Sequence, residues 1–122
     1  MKEVSLTAPE ELFYDLLVDY EIMSMVKEFK TQVWVKTCNG YRRIDFVLVV
    51  DDNSLNHKGI YIEIDDPGHM KPERQQDDYI KTREIFNPSF PLLRFTYYEI
   101  FNDTQRVMNK IEGYIDIMKG IG

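Results

Sequence analysis

Tyr41-Arg42-Arg43-Ile44-Asp45-Phe46-Val47-Leu48-Val49-Val50-Asp51 is the stretch on which the fold turns. A period of two places Tyr41, Arg43, Asp45, Val47 and Val49 on one face, and Arg42, Ile44, Phe46, Leu48 and Val50 on the other. That is a long strand, apolar along most of its length but for the acid in its middle. Asn39-Gly40 just before it is a two-residue hairpin signal, so Gln32-Val33-Trp34-Val35-Lys36 reads as its antiparallel partner. Turn residues follow at Asp51–Ser54 and His57–Gly59. A third strand, Ile60–Asp65, then sets Ile60, Ile62 and Ile64 on one face and Tyr61, Glu63 and Asp65 on the other.

Working outward, Thr7-Ala8-Pro9-Glu10 is a helix start with the spacing of a capping box. Leu12, Phe13, Leu16, Leu17 and Tyr20 recur at helical spacing behind it, which predicts an amphipathic helix to about Lys27. Asp66–Lys71 breaks regular structure, and Pro72 opens a charged helix to about Phe86. Leu92–Tyr97 is a fourth strand. Asn102 or Asp103 caps a final helix with Val107, Met108, Ile111, Tyr114, Ile115 and Met118 as its stripe, and Gly120 stops it. The order α-β-β-β-α-β-α predicts an α/β fold: one domain over residues 1–122, core about 7–118, with a four-stranded mixed sheet flanked by helices.

The chain has 122 residues with 21 acids and 15 Lys or Arg, a net charge of −6. No run of 18 apolar residues exists, so no membrane partner is expected, and Met1–Ser5 does not open a signal peptide. One cysteine, Cys38, provides neither an internal disulfide nor a cysteine zinc site, which predicts a cytoplasmic, reduced protein. The charge is uneven. Residues 1–28 hold seven acids and two bases, a net of −5, which leaves −1 for residues 29–122.

Chemistry is expected at the acids that interrupt strands. A carboxylate within apolar strand costs several kcal/mol unless it is paired or binds a metal. Asp45 on one strand, with Glu63 and Asp65 on the next, therefore asks for a cation, and clustered carboxylates suit Mg²⁺ or Mn²⁺. The alternative is that these acids face solvent or are neutralised by Arg43 and Arg94. His69, just past the third strand, has a pKa range suited to a phosphate oxygen. Asp78 and Lys81 stand at i,i+3 on the charged helix. Trp34, Tyr41 and Tyr61 are expected in core packing, with stacking on bases as the other option.

Taken in order, Arg43-Ile44-Asp45-Phe46, Glu63-Ile64-Asp65-Asp66-x-x-His69, Arg74-x-x-x-Asp78-x-x-Lys81 and Leu93-Arg94-Phe95 resemble the very-short-patch-repair branch of the PD-(D/E)XK, restriction-endonuclease-like, nuclease superfamily. The resemblance spans about residues 7–118. It implies an α-β-β-β-α-β core, metal ligation by Asp45, Glu63 and the carbonyl of Ile64, and an active-site role for His69. Glu10 matches a first-helix glutamate often near the site, alongside its capping role. Asp65 stands where most of the superfamily has a lysine, and Lys81 or Lys71 would supply that charge from the helix side.

The expected function is a metal-dependent endonuclease acting on phosphodiester bonds of nucleic acid, DNA ahead of RNA, with Mg²⁺ or Mn²⁺ as cofactor. Asp65 would orient the attacking water, His69 and Lys81 would contact phosphate, and Arg43 and Arg94 would anchor the backbone or brace the acids. Cutting both strands would call for a homodimer. One alternative is a catalytically silent domain of the same fold that binds nucleic acid or a protein. Another is an interaction protein whose acidic first helix, with Asp15, Asp19 and Glu21, docks a basic partner. Setting aside Asp45, Glu63 and Asp65, residues 29–122 carry +2, so the overall acidity is compatible with a polyanionic partner.

Overall fold

The computed structural model describes residues 7–53, 55–65 and 72–120, apart from the side chains at 72–75 and 78. Helix α1 spans Ala8–Asp19 and opens as its sequence dictates: the Thr7 hydroxyl accepts from Glu10 N–H, and Glu10 Oε1 accepts from Thr7 N–H. The expected extension to Lys27 does not occur. Glu21 adopts a left-handed φ of 59°, foreign to a helix interior, and a single 3₁₀ turn, Ile22–Met25, drops Ile22 into the core. Lys27 N–H then donates to the Val49 carbonyl at 2.8 Å, so the chain is already entering the sheet.

Strand β1 (Glu28–Thr37) therefore begins before Gln32, the expected first residue, and pairs antiparallel with β2 (Gly40–Asp51) through the Asn39-Gly40 hairpin. Gly40, at φ 117°, supplies the turn conformation that a Cβ disfavours. Strand β3 (Lys58–Asp65) pairs antiparallel with β2, and β4 (Leu92–Thr96) pairs parallel with β3 after the crossover through α2 (Pro72–Glu84). The sheet order is β1-β2-β3-β4.

Beyond β4 the expected single helix is two. Thr96 and Glu99 form a second capping box, which starts α3 (Tyr97–Asn102), and α4 runs from Thr104 to Met118. Tyr97 is thus helical, not the end of a strand. Gly120, at φ 76°, ends the helical path as expected. The observed order is α-β-β-β-α-β-α-α, a mixed sheet between helices. No helix among the described residues is long and apolar enough to cross a membrane.

Each face of the sheet has its own core. Phe46, Leu48, Val50, Ile60, Ile62, Leu93 and Phe95 bury against α1, α3 and α4, with Phe13 against Phe46 at 5.0 Å between ring centroids. Ile44, Val47 and Val49 pack on the other face with Ile85, which follows α2, and Phe90. Ile44 was expected beside Phe46, Leu48 and Val50, but it sits on the opposite side. Likewise Phe29 packs with the first core and Val33 and Val35 with the second, although all three are odd-numbered. Alternation thus reverses on both strands at one level, between Thr31↔Phe46 and Val33↔Ile44, with no slip in register. Gln32 takes a left-handed φ of 54° at that level, which turns β1 over and carries β2 with it.

Candidate active site

The reversal falls at a row that crosses the whole sheet. Gln32 on β1 lies level with Asp45 on β2, between their flanking ladder pairs. Continuing the β2–β3 register past Phe46↔Ile62 brings Asp45 level with Glu63, and Glu63 is in register with Arg94 on β4. Neither Gln32 with Asp45 nor Asp45 with Glu63 is a ladder pair. The regular ladder opens at polar side chains, and those side chains take over its donors.

Asp45 N–H donates to Glu63 Oε2 at 3.1 Å, and Ile64 N–H donates to Asp45 Oδ2 at 2.9 Å. From the helix on the second core face, Lys81 Nζ donates to Glu63 Oε1 at 2.7 Å and to the Arg43 carbonyl at 2.6 Å. From α1, Glu10 Oε1 accepts from Gln32 Nε2 at 3.1 Å while also serving the capping box. Asp45 is 9% exposed, and Glu63 and Glu10 are 6% exposed. Three acids and one ammonium are thus drawn into a largely dry row.

Asp45 feels that imbalance. Burial, then the Glu63 carboxylate, raise its pKa to about 7; the Ile64 N–H opposes the rise, Glu10 adds to it and Lys81 reduces it. An acid with such a pKa takes up or releases a proton near neutrality, a property concentrated at functional sites. It also attracts a compensating cation. Asp45 and Glu63 offer hard oxygen donors, and Mg²⁺ is commonly held by one or two carboxylates while keeping its own waters. These residues fit such an ion, although among the described residues no group of three or more His, Cys, Asp or Glu is arranged to hold a metal.

The expected site residues divide accordingly. Asp45, Glu63, Lys81 and Glu10 come together. Ile64 enters through its N–H. Asp65 lies half-buried at the end of β3, two residues beyond Glu63, in register with Thr96. Arg94 is the register neighbour of Glu63, whereas Arg43 contributes its carbonyl and leaves its side chain exposed. His69 lies outside the described residues, and so does the side chain of Asp78, so their expected roles and the Asp78–Lys81 pairing stay with the sequence. Lys81 pairs with Glu63.

Gln32 was not anticipated. It is 9% exposed, its Nε2 is held by Glu10, and its Oε1 is buried with no hydrogen-bond partner. The available signal was a polar residue inside a strand, one position before the apolar alternation of Val33 and Val35. Core packing of aromatics is also corrected in two cases: Trp34 and Tyr41 are exposed, while Tyr61 stacks on Phe90 at 5.1 Å.

Comparison with protein-family models, with curated proteins and with solved structures gives no match to the chain.

Proposed function

We propose that the chain is a metal-dependent endonuclease that hydrolyses phosphodiester bonds of nucleic acid, DNA ahead of RNA, in the cytoplasm. The supporting observation is the arrangement Asp45–Glu63–Lys81: two buried carboxylates on adjacent strands where the ladder opens, with an ammonium 2.7 Å from one of them. It accords with the motif resemblance in Arg43–Phe46, Glu63–His69 and Leu93–Phe95, and it supports Lys81 as the charge brought from the helix where Asp65 replaces a strand lysine.

Asp45 and Glu63 would hold Mg²⁺ or Mn²⁺, which when bound lowers the pKa of water and offsets charge on a phosphate. Glu63 is oriented by Lys81, and Asp45 by the Ile64 N–H. Lys81 would draw a phosphate oxygen toward the row. Asp65 would orient water, and His69 would contact phosphate. Duplex cleavage would take two copies of the chain.

A second reading is a catalytically silent domain that binds nucleic acid or a protein. It is favoured by Lys81 already neutralising Glu63 and by the lack, among the described residues, of a third acid arranged for metal. Plasmid nicking in Mg²⁺ or Mn²⁺ separates the two. The native chain should nick, and Asp45→Ala and Glu63→Ala should each abolish it. Equal nicking by both variants would overturn the assignment, and calorimetry without Mn²⁺ uptake at millimolar metal would favour the silent domain.

A further inference from the structure

Past the row, the β1–β2 hairpin continues with one face braced and the other open. The braced face carries Arg42, whose Nε donates to Glu84 Oε1 at 2.8 Å, and Asn39 donates from the turn to Glu84 Oε2 at 2.7 Å. Ile44, Val33 and Val35 pack on the same side. The open face carries the intervening residues, Trp34 and Lys36 on β1 and Tyr41 and Arg43 on β2, all exposed. Trp34 is 63% and Tyr41 64% exposed, large values for aromatic rings on strands.

These four side chains form a checkerboard. Trp34 is the cross-strand partner of Arg43, and Lys36 is the partner of Tyr41. Each ring is therefore flanked by a cation across the ladder and by another along its own strand. The two rings stand on the diagonal, about 7–8 Å apart by strand geometry, roughly twice the 3.4 Å step of a stacked strand. Among the described residues neither Lys36 Nζ nor the Arg43 guanidinium enters an ion pair. In a chain of net charge −6, these four neighbouring positions hold two cations and no acid. It also adjoins the candidate active site, because the Arg43 carbonyl accepts from Lys81.

We infer that this hairpin face is a platform for single-stranded nucleic acid, with Trp34 and Tyr41 stacking on unpaired bases and Lys36 and Arg43 meeting the phosphates between them. The inference takes its partner class from the proposed endonuclease and narrows it to a strand whose bases are accessible. Duplex bases are already stacked on each other and present no π-face to rings on a strand. Apolar or aromatic surface alone would suit a protein partner equally; the interleaved cations favour a polyanion that also has flat faces. The bracing by Glu84 holds the hairpin in place before a strand arrives.

Trp34 is the only tryptophan of the chain, so its emission reports directly on the platform. The full-length protein, in EDTA to exclude cleavage, is titrated with oligothymidylate and oligouridylate of about 15 nucleotides. Parallel titrations use the matching duplex and an abasic sugar-phosphate strand of equal length. Saturable quenching by either single strand, about tenfold tighter than by the duplex and absent with the abasic strand, is the expected result. Tyr41→Ala should weaken binding about tenfold. Replacing Lys36 and Arg43 together by Gln should flatten the salt dependence by about 1.4 in log–log slope, at roughly 0.7 per phosphate contact. No saturable quenching by either single strand overturns the platform, and so does equal quenching by the abasic strand. Quenching with no cleavage of that same single strand when Mg²⁺ replaces EDTA removes the endonuclease and keeps the platform; cleavage of the strand without quenching does the reverse.

Discussion

Asp45 and Glu63 do for each other's strands what a backbone ladder does elsewhere. The Asp45 N–H is taken by Glu63 Oε2 at 3.1 Å, and the Asp45 carboxylate takes the N–H of Ile64, the residue after Glu63, at 2.9 Å. Buried backbone donors must find acceptors, so the gap in the ladder fixes both carboxylates at once. The arrangement satisfies hydrogen bonds but brings two acids together. Its cost is electrostatic and therefore depends on pH.

Asp45 sets the sign of that dependence. Its folded pKa is raised to about 7, chiefly by burial and then by Glu63, whereas an unfolded aspartate titrates near 3.9. Between these values the folded state holds more protons, so stability falls as pH rises. The contribution is complete below about pH 4 and gone above about pH 7. Asp45→Asn keeps an acceptor for Ile64 N–H and removes the titration. It should be more stable than the native chain at pH 8 by about 1–3 kcal/mol and nearly equal to it at pH 4. Urea midpoints at both pH values check this; an equal difference at both would refute it.

Glu84 behaves in the opposite sense. Its hydrogen bond from Arg42, then that from Asn39, lower its pKa. Its stabilising effect is present above the ordinary glutamate range near 4.3 and is lost as pH falls through the lower folded value. Glu84→Gln should loosen the hairpin from α2 at neutral pH and remove that acid-side loss. Hydrogen exchange at Asn39–Arg43, compared between variant and native chain at pH 3 and pH 6, measures it. A variant that protects these amides as well as the native chain at pH 6 contradicts the bracing role.

Gly59 is a packing requirement rather than a turn. A Cβ there would lie 2.0 Å from the Leu48 carbonyl oxygen and 2.7 Å from the Phe90 ring. The ring could shift, but the carbonyl belongs to the centre of β2. Gly59→Ala should cost about 3 kcal/mol, near the upper end for overpacking. Thermal melting reads this, and a melting temperature equal to the native value would show that the strands separate more easily than their pairing suggests.

How much of this was legible depends on which force decides each element. The four strands and the first capping box follow from local patterns: Ile60, Ile62 and Ile64 alternate, and Thr7 and Glu10 hold their spacing. The site pair was legible because Asp45 and Glu63 interrupt apolar strand. The end of α1 was not, because Met23, Met25 and Val26 are apolar enough for helix or strand, and the left-handed Glu21 settles the matter. Helix α3 was hidden by Leu92–Tyr97 reading as one strand, although Thr96-x-x-Glu99 has the spacing of a capping box. The face reversal at Gln32 and Asp45 was invisible to any period-of-two argument, because a left-handed residue within a strand leaves no mark on polarity.

Lys81 provides the decisive comparison between a structural ion pair and a cation site. Its Nζ lies 2.7 Å from Glu63 Oε1, with both side chains mostly buried. Removing one partner of such a pair strands the other's charge, so Lys81→Met should destabilise the chain by about 3 kcal/mol. Glu63→Gln in the same background removes the stranded charge, so the double variant should be more stable than Lys81→Met alone, a departure from additivity. If Asp45 and Glu63 accept a divalent ion, it replaces the missing ammonium. Millimolar Mg²⁺ should then raise the melting temperature of Lys81→Met more than that of the native chain, and leave the Lys81→Met/Glu63→Gln variant nearly unmoved. A Mg²⁺ shift of the same size in all three proteins would mean the ion binds elsewhere. Lys81→Met melting at the native temperature would remove the ion pair from the account of stability.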